Sequence, residues 1–270
     1  MSNKQYQIIP TIRREALLAL LKKGERLDGR GPEDIREIRV VTDYVGKAEG
    51  SALVHLGDTK VIAGVKAEVG KPFPDTPDMG VQIVNAELIP IASPTFEAGP
   101  PGEEDVELSR VVDRGLRSSG IIGLDQLALV PGEKVWTIFI DIFTLDHYGN
   151  LIDAAGLAAT AAVLTTKIRR ARVEDGEVVL EDERVPLPIG GVPVFVTVVK
   201  IADTLVVDPS YEEELVMDAR LTFIVDEEGN ICGMQKGGIG GFTVEEVLRA
   251  RDMALEAADK VRKHLPPKPS

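Results

Sequence analysis

Apolar side chains at Ile12, Ala16, Leu17, Leu20 and Leu21 recur at helical spacing, with Arg13, Arg14, Lys22 and Lys23 off the stripe. They predict a first helix over 12–22, and Gly24 is placed to stop it. The turn-rich run Glu25-Arg26-Leu27-Asp28-Gly29-Arg30-Gly31-Pro32 follows. The pattern then changes to β-branched runs that predict strands over 40–45, 50–56 and 60–69, with Gly57-Asp58 as a tight hairpin turn. Residues 71–80 read as a proline loop and 81–90 as a further strand; 94–105, rich in prolines and acids, reads as a second loop. Leu108, Val111, Val112, Gly115 and Leu116 then mark a helix. Residues 134–145 are apolar on both faces and predict a buried central strand. A helix of small residues is expected over 153–170. There Ala154, Gly156, Ala158, Ala159, Ala161 and Ala162 allow close approach to a sheet.

The charged stretch 174–184 reads as a hairpin or linker and is the natural place for a subdomain boundary. A second group of strands is expected over 192–201, 204–207, 219–225 and 230–235. Thr243 with Glu246 three residues on forms a capping box for the last helix. Its predicted buried stripe is Val244, Val247, Leu248, Leu255, Ala258 and Val261, and Pro266-Pro267 ends it. Strands with flanking helices in each half give the α+β class.

Charge narrows the function. The 270 residues carry 31 Lys+Arg against 44 Asp+Glu, a net −13. That excludes a protein that coats nucleic acid non-specifically, while leaving room for a local basic patch. No stretch reaches the ~20 apolar residues of a membrane helix, so no membrane partner is expected. The polar start Ser2, Asn3, Lys4, Gln5 lacks a signal peptide's apolar core. A single cysteine, Cys232, excludes an internal disulfide framework and fits a reducing cytoplasm.

Candidate chemistry is sparse. Arg110, Arg114 and Arg117 share one helical stripe, with Asp113 off it. They read either as a track of guanidinium groups for phosphates or as a solvated face paired with Glu103, Glu104 or Glu107. Lys60, Lys66 and Lys71 flank a hairpin and its proline loop; they edge a nucleic-acid path or are ordinary surface lysines. Gly237-Gly238-Ile239-Gly240-Gly241 before the last helix either cradles phosphate or permits close backbone packing. Glu212, Glu213, Glu214, Asp218 and Asp226 read as Mg²⁺ ligands or as a solvated turn. His55, His147 and His264 have no Cys or Glu at metal spacing, so no zinc site is expected.

Taken together, several segments resemble the RNase PH family. The opening Arg26-Leu27-Asp28-Gly29-Arg30 with Ile35-Arg36 is similar to its first motif. Ala48 through Val65 resembles its first hairpin, Glu107 through Arg117 its arginine helix, and Asp141 through Ala155 its central strand and following helix. Val206-Val207-Asp208-Pro209 with Tyr211-Glu212-Glu213-Glu214 resembles its catalytic segment. The likeness is collinear over 26–262. It implies an RNase PH-like fold: two α+β subdomains, 26–175 and 186–265, with mixed β-sheets flanked by helices, preceded by a helical arm, 1–25.

Members of that family are phosphorolytic 3′→5′ exoribonucleases. Phosphate attacks the last phosphodiester and releases a nucleoside diphosphate. This chain departs from the pattern twice. Where active members carry Gly-Ser/Thr-Arg at a helix N-terminus, it has Gly149-Asn150-Leu151, and Asp153 adds negative charge in the first turn, where the anion would sit. Where active members carry two aspartates six residues apart, it has Glu214 and Arg220.

The resemblance is strongest to the non-catalytic ring subunit of the archaeal exosome. It implies no cofactor or metal, a catalytic RNase PH-like paralogue as partner in a ring of three heterodimers, and RNA-binding cap subunits. Arg110 and Arg114 are the implied contacts to single-stranded RNA, and Arg117 a brace at the interface. The alternative is a phosphorolytic exonuclease in its own right, using Glu214 with Asp218 as carboxylates and the glycine loop as phosphate anchor.

Overall fold

The computed structural model describes residues 11–174 and 176–269. The polar start at residues 2–5 and the side chains of Ile12 and Arg13 lie outside the described residues. The first helix, α1 (Thr11–Leu21), packs through Leu17 and Leu21 onto Val199, Ile201, Val206 and Val216, so the N-terminal arm rests on the far half of the chain.

The first sheet holds β1 (Ile38–Thr42), β2 (Gly50–Leu56), β3 (Thr59–Gly70), β4 (Val81–Leu88), the short β5 (Ala128–Val130) and β6 (Lys134–Asp146). Its order is β1-β2-β3-β6-β4, with β5 also paired to β6. Leu56 pairs with Thr59 across the predicted Gly57-Asp58 turn, where Gly57 takes φ +56°. β6 is central, antiparallel to β3 and parallel to β4, as its two apolar faces predict. β1 ends at Thr42, short of the predicted end, because Asp43 turns left-handed at φ 54°.

Helix α2 (Glu103–Ser119) begins inside the stretch read as a loop. Asp105 accepts the Gly102 N–H, and Glu103, Glu104 and Asp105 load the first turn with charge that the helix dipole favours. Helix α3 (Leu151–Thr165) stops five residues before the predicted 170. Thr165 and Thr166 donate their hydroxyls to the Ala161 and Ala162 carbonyls, and Thr166 is already extended. The hairpin β7 (Lys167–Glu174) and β8 (Glu177–Pro186) follows.

The second sheet, β10 (Thr204–Val207), β9 (Val194–Ile201), β11 (Ala219–Val225) and β12 (Ile231–Gly237), is wholly antiparallel, so among the described residues only the first sheet is mixed. The acidic run read as a solvated turn is instead a short helix, α4 (Tyr211–Val216), with its own Ser210/Glu213 capping box and Glu213 buried. Helix α5 (Val244–Arg262) has the predicted Thr243/Glu246 cap. Its buried face is rotated from the predicted one: Ala250, Met253, Ala254, Ala257, Ala258 and Val261 face inward, while Val244 and Leu248 are exposed. Small alanines allow the closer approach to β9 and win the interior over the larger side chains.

α3 lies between the two sheets, against β2, β3 and β9 and beside α2. One aromatic ring joins the halves. Phe195 of β9 fills the space left by Gly115 on α2 and Gly156 on α3, where any Cβ would collide with the ring. This arrangement places the N-terminus of α3 directly beside α4.

Candidate functional site

The site forms where the loop before α3 meets the loop before α4. Gly149 takes φ +94°, and a Cβ there would lie 2.5 Å from the Ser210 carbonyl carbon and the Tyr211 nitrogen. Only glycine permits so close a contact. The Tyr211 N–H donates to the Tyr148 carbonyl at 3.1 Å, and Thr59 Oγ1 donates to the Gly149 carbonyl at 2.8 Å. Asn150 is buried and left-handed at φ 55°, a conformation asparagine tolerates.

Three carboxyl groups surround Asn150. Its amide Nδ2 donates to Asp153 and to Asp208, each at 2.8 Å. Its backbone N–H donates to Glu214 Oε1, also at 2.8 Å. Asp153 is therefore not the charge at the mouth of the helix that the sequence implied. It turns into the core, where Oδ2 accepts the Thr197 N–H at 2.8 Å and Oδ1 lies 2.7 Å from the Thr197 hydroxyl. Burial pushes its carboxyl up to about 7, against the pull of the Thr197 and Asn150 hydrogen bonds. The charge at the helix mouth is Glu214, which burial also pushes up to about 7.

Beneath this lies a cationic clasp. Arg26 pairs with Glu213 through Nε at 2.8 Å and Nη2 at 2.5 Å, both side chains being inaccessible to water. It also donates to the Val207 and Asp208 carbonyls. Asp208 accepts from Arg30 at 2.9 Å and from Arg36 at 2.6 and 2.9 Å. Burial opposes ionisation of Asp208, but the hydrogen bonds and charge of Arg36 hold it below the usual carboxylate range. Arg36 further donates to the Tyr148 and Gly149 carbonyls and so pins the loop itself. His147 stacks on Phe96 at 5.4 Å and meets the edge of Tyr211 at 5.0 Å. Burial, helped by Arg36, lowers its pKa to about 4, so at neutral pH it offers no cation to a ligand.

The remaining sequence-derived candidates separate. Leu151 is half-buried at the start of α3. Arg220 donates to Glu107 of α2 at 2.6 Å, and its Nε is buried with no partner among the described residues. Asp218 does not join Glu214; its carboxylate accepts the Ala202 N–H at 2.7 Å. Gly238 and Gly240 pack their backbones on Asp218, with the Gly240 N–H donating to the Asp218 carbonyl at 2.8 Å. Close packing thus accounts for these glycines.

On α2, Arg110 and Arg114 are exposed. Arg114 reaches only Gln235 Oε1 at 3.3 Å, and Arg110 has no hydrogen-bond or ion-pair partner among the described residues. Arg117 differs. It bonds Asp113 at 2.9 Å and the Gln82 carbonyl at 3.1 Å, so Asp113 lies within reach of the stripe after all. Lys66 pairs with Glu49 at 2.6 Å, whereas Lys71 is exposed.

Two domains of the 3′ exoribonuclease family match the chain: domain 1 over residues 34–169 and domain 2 over 191–257. The chain belongs to the RNase PH family. Relatives within it include the exosome complex component Rrp42 of Thermococcus gammatolerans, 52% identical over 261 residues and covering 96% of each chain. A chain of the Archaeoglobus fulgidus exosome, solved with RNA bound to the active site, superposes with a TM-score of 0.86 at 45% identity. That match covers 94% of this chain and 97% of the other. A chain of an archaeal exosome core gives 0.83 at 42%, over 94% and 96%. The RNase PH-like fold expected from the motifs is therefore present.

Sequence reading missed Arg26, Arg30, Arg36, Asp208 and Glu213 as members of the site's support. Their signal was present in the RNase PH motifs themselves, since the two quoted segments around Arg26–Arg36 and Val206–Glu214 are the ones the clasp joins.

The raised carboxyls have a consequence for stability. An acid whose folded pKa exceeds its unfolded value binds its proton more tightly in the native state. Its contribution is present below the unfolded pKa and is lost as pH rises through the folded one. For Asp153 that window runs from the ordinary aspartate value of 3.8 to about 7. Asp153→Asn keeps the acceptor for Thr197 and Asn150 and puts a donor toward the Thr197 hydroxyl, which can pass a hydrogen bond to Thr222. Urea unfolding of both proteins at pH 5 and pH 8 is expected to show the variant gaining roughly 3 kcal/mol on wild type across that interval. Parallel pH dependences would mean that Asp153 is ionised in the fold throughout.

Proposed function

We propose that this RNase PH family member is a non-catalytic core subunit of an archaeal exosome, a cytoplasmic RNA-degrading complex. It pairs with an active RNase PH-like paralogue, three such pairs closing a ring capped by RNA-binding subunits. The name its relatives share, exosome complex component Rrp42, supports the assembly. The observation that carries the non-catalytic reading is the inherited pocket. Leu151 stands where the phosphate-holding arginine would be, and the carboxylate of Glu214 rests on the Asn150 N–H.

Phosphorolysis must bring an anionic nucleophile to an anionic diester, which requires fixed positive charge at that point. Here the nearby cations are committed elsewhere: Arg36 to Asp208, Arg220 to Glu107. Nor do the residues suit Mg²⁺. One carboxylate position is tied to a backbone N–H and the other is a guanidinium.

What remains is a grip on RNA. Arg110 and Arg114 present unneutralised guanidinium groups on one exposed helix face, suited to phosphate oxygens. Lys71 extends the path; Lys66 does so with its charge answered by Glu49. Arg117, held by Asp113 and Gln82, acts as a brace. In the assembled ring, Arg110→Ala combined with Arg114→Ala should weaken single-stranded RNA binding. The slope of log affinity against log salt should fall by about 0.7 for each lost phosphate contact. An unaltered affinity and slope would assign the stripe to solvation alone.

A further inference from the structure

We propose that Glu214 is a built-in plug: its carboxylate occupies the anion position at the N-terminus of α3 and keeps inorganic phosphate out. The inference rests on the reading that phosphate does not act as nucleophile in this chain, and it names the group that excludes it.

Four observations carry it. First, Glu214 Oε1 accepts the Asn150 N–H at 2.8 Å, across 64 residues of sequence. That N–H belongs to the N-cap of a 15-residue helix, where backbone donors and the dipole together favour an anion. Second, no acceptor among the described residues takes the next three N–H groups, at Leu151, Ile152 and Asp153. The carboxylate therefore faces a donor cluster larger than the one bond it makes. Third, the plug is held by construction. α4 is fixed by its Ser210/Glu213 capping box and by the Arg26–Glu213 pair, and Gly149 lets the two loops touch. Fourth, no cation among the described residues is hydrogen-bonded to Glu214: Arg220 goes to Glu107, and it and Arg36 act on Glu214 through their charge alone. Burial raises the Glu214 pKa, and the Asn150 N–H is the hydrogen bond that opposes that rise and holds the carboxylate at the helix end. A phosphate ion would need the same N–H groups and would face Glu214 at contact distance, so the two anions exclude each other.

The test uses the full-length chain, inorganic phosphate as the probe and chloride at matched ionic strength as the control. Glu214→Ser removes the plug; Glu214→Gln keeps its shape without its charge. Calorimetric titration should show no saturable phosphate binding to wild type and saturable binding to both variants, at least about tenfold tighter than any wild-type signal. A crystal of Glu214→Ser grown in phosphate should show the ion on the Asn150 N–H. Circular dichroism verifies that each variant is folded. If both folded variants bind phosphate no better than wild type, or if wild type binds it at Asn150 with Glu214 swung aside, the plug is refuted. Phosphorolysis is assayed in parallel on wild type. Turnover there would overturn the non-catalytic reading. An inactive wild type with unresponsive variants would overturn the plug alone.

Discussion

Asp208→Ala is expected to lower the free energy of unfolding by about 3–5 kcal/mol, a large share of the roughly 5–15 kcal/mol typical of a folded domain. The carboxylate is 2% exposed and is the counter-charge for Arg30 and Arg36, themselves only 13% and 11% exposed. Removing it leaves two guanidinium groups facing each other in a water-poor interior. It also deprives the Asn150 amide of one acceptor. The loss should appear as a fall in melting temperature on the order of 10 °C.

Backbone strain is a separate contribution, because Asp208 sits at φ 49°. Asp208→Asn separates the two, since asparagine accepts that conformation and keeps the shape while removing the charge. Most of the destabilisation should persist in Asp208→Asn. A loss below about 1 kcal/mol in both variants would mean that water reaches the clasp and screens it. Because the Asp208 pKa is depressed, its contribution is present above the unfolded carboxyl pKa and disappears as pH falls through the folded one. The asparagine and wild-type proteins should therefore converge in stability in acid, while the alanine variant keeps its backbone strain.

The clasp also shows what a sequence can and cannot disclose. Elements governed by local rules were legible: the β2–β3 turn at Gly57-Asp58, β10, β11, and the Thr243/Glu246 cap of α5. So was the buried β6, because an apolar run on both faces has few other uses. α4 was not. Six residues carrying three consecutive glutamates show no helical period, and the burial of Glu213 depends on Arg26, 187 positions away. The α5 stripe was misjudged because size was weighed above fit, and Ala250, Ala254 and Ala257 fill the tight interface.

At the site, the family resemblance pointed to Gly149-Asn150-Leu151 and the Glu214/Arg220 pair but set Asp153 where Glu214 stands at the helix mouth. Asp153 and Glu214 are both acids within reach of one helix N-terminus. Only the tertiary contacts to Thr197 and to the Asn150 N–H separate the inward one from the one at the mouth. The two open arginines of α2 and their braced neighbour Arg117 were likewise indistinguishable by spacing.

The second large effect concerns turnover. Loss of one preorganised electrostatic group at a reacting anion ordinarily costs about 100- to 1,000-fold in rate. On the proposed reading this chain lacks two such groups, with Leu151 and Arg220 in their places, and Glu214 covers the helix end besides. The direct measurement is nucleoside diphosphate release from labelled single-stranded RNA, with inorganic phosphate and Mg²⁺, by the purified chain without any other subunit. The expected result is no release above the enzyme-free control, and release once a catalytic RNase PH-like paralogue is added. Diphosphate formed by the chain alone, and abolished by Glu214→Ala, would contradict the reading of its pocket as closed to phosphate.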